Sequence, residues 1–551
     1  MTGSRAADVL VRCLEAEGVE HVFGIPGEET LDLNHAFERS SIAFVPVRHE
    51  QGGAFMAAMV GRLTGRAGVC LGTLGPGALN LVTAVADAYL DRAPLVALTG
   101  QRPLEWMHKE SHQHLDVVDV MRPLTKWNAR VAKPQIVPEV VRKAFRVAES
   151  EHPGATHLEL PEDVMAQPLD EPALPRRSPP LPEPAARELT RAAELICAAR
   201  SPLVLAGNGV LRARAAPALR AFARATGIPV AETFMGKGAL DCEDPAALGT
   251  VGLHDRDYEL AGFGEADVVI AVGYDLVEHA PEHWNPERDK TIVVIDVVPA
   301  EVDAHFTPAV ELLGDLDHAL VRLAEHCASA RPVPPARTPP PTSRLRAAVR
   351  GQLEAGREDD AFPVAPPRAL WELREALGAS DLLIADVGQH KLWIARMFEA
   401  HEPQTVMIAN GLAGMGFALP SAIAAKLVHP QRRVVAVCGD GGALMNVQEL
   451  ETATRLGTAF VTVVWEDGGY GVIAANQRKR FDGQHFGTDF TNPDFVALAA
   501  SFGMPAWRCA SAQEFGRHLR HALALDVPSL IVLPIDYSVD IANAEELEGV
   551  R

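Results

Sequence analysis

The sequence of 551 residues has no long apolar run and no closely spaced cysteine pair. No apolar stretch approaches the ~20 residues that a membrane-spanning helix needs, which argues against an integral membrane protein. Its 7 cysteines are scattered along the chain and never form a C-x-x-C pair. We therefore expect buried, reduced thiols and no disulfide framework.

An excess of positive charge is also missing. The chain carries 51 Lys and Arg against 72 Asp and Glu, a formal net charge of -21. A surface of this sign repels nucleic acid and anionic membranes, so neither is expected as a partner. The segment Met1–Gly24 has the pattern of an amphipathic helix and lacks the hydrophobic stretch of a signal peptide, so we expect a cytoplasmic protein.

Two proline-rich stretches, at 168–184 and 332–341, interrupt a chain that is too long for one hydrophobic core. The hydrophobic content of 48% is that of a globular protein. We therefore expect domains over residues 1–167, 188–330 and 345–551, with Pro-rich linkers at 168–187 and 331–344.

Within each predicted domain, short runs of Val, Ile and Leu alternate with longer helical patterns. This alternation predicts an α/β protein with three doubly wound domains and mostly parallel sheets. Glycines follow several of the runs at once, at 73–77, 207–209 and 439–442. Ligands in open α/β sheets bind at the carboxyl ends of the strands.

The most specific motif is Gly439-Asp440-Gly441-Gly442, which follows a predicted strand. A predicted helix from about Val447 to Leu456 and a second strand lead to the loop Glu466 to Tyr470, and Asp440 and Asp467 are 27 positions apart. Parallel strands with one helical crossover would bring both carboxylates to one sheet edge. There they could ligate a magnesium ion, which in turn could bind a diphosphate. A Walker lysine motif is absent.

A second motif, Arg48-His49-Glu50-Gln51, places Glu50 at the start of a predicted helix. An acid in that position can simply stabilise the helix N-terminus. A carboxyl in a water-poor pocket can instead act as an acid–base group. The residues alone leave both interpretations open.

Together these motifs resemble those of the thiamin diphosphate enzymes, in which GDG precedes an Asn or Asp loop by 25–30 residues. The resemblance implies that Asp440, Asp467 and the Gly469 carbonyl ligate Mg²⁺, with Asp467 standing where Asn is commoner. It implies that Glu50 activates the aminopyrimidine ring of the cofactor. Further cofactor-binding residues implied by it are Gly75, Gly77, Gly441, Gly442 and Tyr470.

Two more segments of the C-terminal third carry the resemblance. Leu412 to Gly416 resembles the segment that bends the cofactor, which implies Met415 under the two rings and the Ala413 carbonyl at the 4′-amino group. Met415 is otherwise a core methionine. Asp386-Val387-Gly388-Gln389-His390 resembles the segment whose Gln389 and His390 reach the diphosphate.

From about Ala6 to Asn543 the chain is similar to acetolactate synthases, through FGIPG, RHEQ, GPG, RPLTKWN, GFALP and GDGG. It is most similar to their catabolic, flavin-independent type, which implies that FAD is not a cofactor. This resemblance implies that His112 and Gln113 are catalytic residues that face the reacting thiazolium. The alternative interpretation is that they are ordinary polar residues of a loop. Where the catabolic enzymes carry a lysine after FGIPG, this chain has Glu28-Glu29. These acids would repel a 2-oxo acid acceptor unless another cation, such as Lys109 or Arg102, compensates, so the identity of the acceptor stays open.

The implied reaction is decarboxylation of a 2-oxo acid, pyruvate, and transfer of the hydroxyethyl unit to an acceptor, with acetolactate as the product if the acceptor is pyruvate. The resemblance also implies a homodimer, or a homotetramer, because the cofactor bridges domains of two subunits. Three alternatives remain. They are a carboligase or decarboxylase with another donor or acceptor, a flavin-dependent pyruvate oxidase using Gly207-Asn208-Gly209, and a subunit without catalysis.

Overall fold

The structure is a computed structural model that describes residues 4–177, 180–253, 255–330 and 344–538. These residues form three sheets of six strands each, and every strand pairing within the sheets is parallel. The prediction of an α/β protein with three largely parallel sheets is confirmed. No helix in the described ranges is both long and apolar enough to cross a membrane.

The N-terminal sheet has the order β2-β1-β3-β4-β6-β5. Its strands are β1 (His21–Gly24), β2 (Ala43–Pro46), β3 (Gly68–Gly72), β4 (Leu95–Gln101), β5 (Trp127–Arg130) and β6 (Ala155–Pro161). Its helices are α1 (Ala6–Glu17), α2 (Leu31–Glu38), α3 (Glu50–Thr64), α4 (Pro76–Leu90), α5 (Val117–Met121), α6 (Val137–Glu149) and α7 (Glu162–Met165). Short 3₁₀ turns lie at Glu28–Thr30, Leu104–Trp106, Arg122–Leu124 and Pro134–Ile136.

The central sheet has the order β12-β11-β10-β7-β8-β9, which is the strand order of dinucleotide-binding folds. Its strands are β7 (Pro202–Ala206), β8 (Val230–Glu232), β9 (Ala247–Thr250), β10 (Val268–Val272), β11 (Thr291–Asp296) and β12 (Pro308–Leu313). Its helices are α8 (Ala186–Ala198), α9 (Asn208–Arg212), α10 (Ala216–Thr226), α11 (Asp255–Leu260) and α12 (Leu316–Ala330), with a 3₁₀ turn at Pro281–His283.

The C-terminal sheet has the order β14-β13-β15-β16-β18-β17 and so repeats the order of the N-terminal sheet. Its strands are β13 (Leu382–Ala385), β14 (Val406–Ile408), β15 (Val434–Gly439), β16 (Val461–Glu466), β17 (Ala506–Arg508) and β18 (Ser529–Pro534). Its helices are α13 (Arg344–Arg357), α14 (Pro366–Ala376), α15 (Gln389–Met397), α16 (Ala418–Val428), α17 (Asp440–Met445), α18 (Glu449–Leu456), α19 (Gly471–Arg480), α20 (Phe495–Ser501) and α21 (Ala512–Ala522).

Two predicted helices were wrong in extent. The N-terminal one ends at Glu17, because Gly18 adopts the left-handed conformation (φ 84°) that terminates a helix, and β1 follows. The one expected from about Val447 begins at Glu449 and is preceded by a separate short helix, α17. The predicted linker at 331–344 lies outside the described residues except for Arg344, which starts α13. The domain boundaries stay a prediction.

The outer two domains share one hydrophobic core. Helix α3 packs against α16, and the rings of Phe55 and Phe417 meet edge to face with their centroids 5.6 Å apart. The burial of both aromatic side chains fixes α3, which begins with Glu50, against the C-terminal domain. The packing of these helices therefore determines where the β2–α3 turn lies.

Candidate active site

Glu50 is the first residue of α3 and its side chain is buried, with a relative exposure of 5%. One carboxylate oxygen accepts a hydrogen bond from the Asn80 amide at 2.9 Å. A Cβ built on Gly77 would lie 3.1 Å from the other oxygen, so this glycine leaves the carboxyl accessible from the loop after β3. A buried carboxyl with a single amide donor is suited to proton exchange with a bound ring nitrogen.

The same loop contacts Gln113. Gly75 has a φ of 51°, and a Cβ there would lie only 2.6 Å from the Gln113 carbonyl oxygen, so a side chain at Gly75 is excluded. The side chains of His112 and Gln113 are exposed, and His112 makes its contact through its carbonyl, which accepts from Arg102 Nε at 3.4 Å. The structure thus brings Gln113 beside the glycine loop and keeps both side chains available to a ligand.

Glu29 is buried behind this loop. Its carboxylate accepts a hydrogen bond from the Thr73 hydroxyl at 2.8 Å and lies 3.6 Å from the Arg102 guanidinium. Of the two cations considered from the sequence, Arg102 lies beside Glu29, whereas the Lys109 ammonium lies over the Trp106 ring. The acid at the position of the expected lysine therefore has its own counter-ion.

Asp440 begins α17 at the carboxyl end of β15 and is buried. One carboxylate oxygen accepts backbone hydrogen bonds from Asp467 at 3.2 Å and Gly468 at 2.7 Å, and the other accepts from Gly441 at 2.8 Å. The two predicted loops therefore meet at one sheet edge. Asn492, which the sequence did not single out, donates at 2.8 Å to the Asp440 oxygen that also accepts from Asp467 and Gly468.

Several buried polar atoms around Asp440 have no protein partner among the described residues. They are Gln389 Oε1, His390 Nε2 and Asn492 Oδ1. Burial lowers the pKa of His390 to about 3, so its ring is neutral. Because buried polar groups in folded proteins are normally hydrogen-bonded, this cluster fits a polar ligand such as a diphosphate with its cation.

Asp467 is an exposed residue, although part of its carboxyl group lies against protein atoms. This partial burial, and then the Asp440 charge, raise its pKa to about 7. Two carboxylates that repel each other form the donor set of a hard divalent cation, so the residues present fit Mg²⁺. A Cβ on Gly441 would lie 2.8 Å from the Tyr470 ring, which shows how closely the two loops are packed.

The segment around Met415 is held by Asp386. The Asp386 carboxylate accepts from the backbone N–H groups of Gly416 at 2.9 Å and Ala418 at 3.0 Å, and burial raises its pKa to about 6. Ala413 has a φ of 58°, a left-handed conformation unusual for alanine. Met415 is partly exposed, and Gly442 faces Asp386, so the bend lies directly beside the Asp440 loop.

The glycine loop of the central domain is already satisfied by protein groups. The Asn208 N–H, at the start of α9, donates to Glu278 at 3.0 Å, and the Thr233 hydroxyl donates to the other Glu278 oxygen. The Gly209 N–H donates to the Gly273 carbonyl at 2.8 Å. The carboxylate therefore lies where the pyrophosphate of a dinucleotide would bind in such a fold.

Sequence reasoning missed Asn80, Asn492 and the role of Asp386. Asn80 lies one turn into α4 after the glycine loop, a placement that sequence spacing could have suggested. Asn492 lies beyond α19, and no local pattern ties it to Asp440. Within the described residues no hydrogen bond or ion pair joins Glu50 to Asp440 or Asp467.

The fold and these two clusters define an enzyme built to hold a diphosphate-bearing ring cofactor. Three family models match the chain: the thiamine pyrophosphate enzyme N-terminal TPP binding domain at residues 4–120, the central domain at 189–323 and the C-terminal TPP binding domain at 386–533. The chain belongs to the thiamine pyrophosphate enzyme family and is of its acetolactate synthase type.

The similarity to individual acetolactate synthases extends over nearly the full length. The acetolactate synthase of Bacillus subtilis is 36% identical over 98% of this chain and 95% of its own. The catabolic acetolactate synthase of Raoultella terrigena is 36% identical over 97% of this chain and 95% of its own. A probable acetolactate synthase large subunit of Methanocaldococcus jannaschii is 34% identical over 97% and 92%.

Proposed function

We propose that this enzyme decarboxylates pyruvate and transfers the hydroxyethyl unit to a second pyruvate to form acetolactate, with thiamin diphosphate and Mg²⁺. The observation that carries the proposal is the pair of clusters, a buried Glu50 with one amide partner and an Asp440–Asp467 edge with unpartnered polar atoms. The relatives, which are acetolactate synthases, support the choice of substrates.

When bound, the cofactor supplies a nucleophilic carbon and stores the electrons left by the departing carbon dioxide. Glu50, whose side chain is buried, would exchange a proton with the aminopyrimidine ring. The cation would be held by Asp440, Asp467 and the Gly469 carbonyl. The diphosphate would be bound by Gly441, Gly442, Gln389, His390 and Tyr470. The rings would be supported by Ala413 and Met415, and the small residues Gly75 and Gly77 would admit them beside Glu50.

His112 and Gln113 are proposed to orient the donor and to handle protons on the acceptor carbonyl. Their exposed side chains lie next to the loop that carries Gly75. An amide can hold a carboxylate, and an imidazole can donate or accept a proton near neutral pH. Arg102, which donates to the His112 carbonyl, contributes positive charge beside these two residues.

We further propose a homodimer as the minimal active unit, or a tetramer of such dimers, acting in the cytoplasm. This part of the proposal rests on the resemblance to the acetolactate synthases. The three family models support the predicted domain boundaries, with linkers at 168–187 and 331–344.

A carboligase with another donor or acceptor is the second candidate, favoured by the buried Glu29 beside the pocket. A flavin-dependent pyruvate oxidase is disfavoured, because Glu278 takes the helix N–H group that a flavin pyrophosphate would use. A subunit without catalysis is disfavoured because Glu50, Asp440 and Asp467 are all present.

The test supplies purified protein with thiamin diphosphate, Mg²⁺ and pyruvate, and measures carbon dioxide and acetolactate together. The proposal expects equal amounts of both. Carbon dioxide without acetolactate would refute the synthase assignment and leave the decarboxylase chemistry intact. Absence of both products would refute the proposal as a whole.

A further inference from the structure

The turn that leads into Glu50 is held by a carboxylate of the other outer domain. The backbone N–H groups of Arg48 and His49 both donate to Oε1 of Glu449, each at 3.0 Å. Glu449 is the first residue of α18 and its side chain is fully buried. Its other oxygen accepts from the Thr452 hydroxyl at 2.7 Å, so both oxygens have fixed partners.

Steric contacts confine Glu449 to this arrangement. A Cβ on Gly52, in the first turn of α3, would lie 2.8 Å from Glu449 Oε1. Near the other end of α18, Arg455 donates to the Pro46 carbonyl at the end of β2. Helix α18 therefore holds the β2–α3 turn at two points, one on each side of Val47.

The hydrogen bonds to Glu449 supply acceptors for N–H groups that have no acceptor within α3. N–H groups at and before a helix N-terminus have no partner within the helix. The His49 ring accepts from the Gln51 N–H at 3.1 Å, which leaves the N–H groups of Arg48 and His49 to Glu449. A negative charge at this end of the helix is also favoured by the helix dipole.

We propose that Glu449 is a positioning residue for Glu50. It fixes the backbone from which the Glu50 side chain reaches Asn80 and the glycine loop, so proton exchange at Glu50 depends on the docking of α18. The inference rests on the proposed function, because Glu50 is positioned to serve a bound cofactor. It also places the anchor of Glu50 in the same short segment that begins with Asp440.

The first experiment measures backbone amide hydrogen exchange in the cofactor-free, full-length protein. Glu449→Ala should speed exchange at Arg48 and His49 by about tenfold or more, because both donors lose their acceptor. Glu449→Gln should stay within about threefold of wild type, because its amide oxygen can accept the same two bonds. Thr454→Ala, which alters an exposed residue of the same helix, should leave both amides unchanged.

Glu449→Asp distinguishes positioning from folding. Its carboxylate is one methylene too short to reach both N–H groups, so it should reproduce the loss while keeping the charge. This variant keeps the inference testable if the alanine variant does not fold.

The second experiment adds thiamin diphosphate and MgCl₂ and follows deuterium exchange at the thiazolium C2 carbon. We expect a decrease of about tenfold or more in Glu449→Asp and Glu449→Ala, and near wild-type exchange in Glu449→Gln and Thr454→Ala. Cofactor affinity should change by less than about threefold, because the Asp440 cluster is unaltered.

Unchanged amide exchange in Glu449→Ala and Glu449→Asp would overturn the inference. So would C2 exchange at the wild-type rate in variants whose amides have lost protection, since the role would then be structural alone. Wild-type protein that binds no cofactor or shows no C2 exchange would refute the proposed function instead, while the amide result would still report on the anchor.

Discussion

The two clusters of the site differ in how far the protein alone satisfies them. Around Glu50, the carboxyl has Asn80 as donor and the preceding turn is bonded to Glu449. Around Asp440, buried atoms of Gln389 and Asn492 have no protein partner, and a second carboxylate lies close by. The protein supplies a donor to one Glu50 oxygen and an acceptor for the turn before it, whereas it leaves several buried atoms beside Asp440 without a partner among the described residues.

The two outer sheets share one strand order, but the two acids follow different strands within it. Glu50 follows the edge strand β2, where a helix from the other domain covers the turn. Asp440 follows the inner strand β15, whose carboxyl end opens between two loops. Under the proposed function, the covered strand end at Glu50 would serve ring activation and the open strand end at Asp440 would anchor the diphosphate.

The largest expected effect is that of Glu50→Gln. Glutamine keeps the hydrogen bond to Asn80 and the fold but cannot exchange the proton, so carbon dioxide release from pyruvate should fall by about a thousandfold. Cofactor affinity should stay close to wild type, measured by calorimetry. Turnover within tenfold of wild type would show that the Glu50 cluster does not activate the cofactor.

Next in size is the loss of the cation site. Asp440→Ala, or removal of Mg²⁺ with a chelator, should weaken thiamin diphosphate binding by about a hundredfold, because the diphosphate loses its bridging ion. Asp467→Asn is the matched control and should bind nearly as wild type, since the amide offers the same oxygen donor. Equal loss in Asp467→Asn would mean that the charge of Asp467 is required.

A change at Arg102, beside the pocket, should affect only the reaction with a charged acceptor. Arg102→Gln leaves Glu29 without its counter-ion, so acetolactate formation from pyruvate should slow by about tenfold while transfer to an uncharged aldehyde is unchanged. Product analysis with each acceptor measures this. The control is Arg122→Gln, which removes an exposed ion pair with Asp119 elsewhere in the domain. Equal loss with both acceptors would assign Arg102 a structural role.

The smallest effect is on pH. The folded pKa of Asp467, about 7, exceeds its ordinary value of 3.8, so the metal-free protein binds this proton more tightly than the unfolded chain does. It therefore loses stability as pH rises from about 4 to 7. Mg²⁺ needs the ionised form, so the rise in Tm on adding Mg²⁺ should be larger at about pH 8 than at about pH 6. An equal rise at both pH values would contradict this assignment.

Motif spacing predicted the parallel sheets and the meeting of the Asp440 and Asp467 loops, because parallel strands with a helical crossover leave few arrangements. The helical spacing of the apolar residues after Arg48-His49-Glu50-Gln51 placed Glu50 at a helix start. It could not predict Asn492 or Glu449, whose contacts join segments far apart in the chain and depend on packing between helices. The helix expected from about Val447 begins at Glu449, after the separate short helix α17 that the sequence did not predict.

The most direct test mixes two inactive proteins, Glu50→Gln and Asp440→Ala, under conditions of subunit exchange. If each site takes Glu50 from one chain and Asp440 from the other, a mixed dimer has one intact site. The mixture should therefore regain about a quarter of wild-type turnover, because about half of the dimers are mixed and each of these has one intact site of two. No recovery in a mixture shown to contain mixed dimers would contradict the division of one site between two chains.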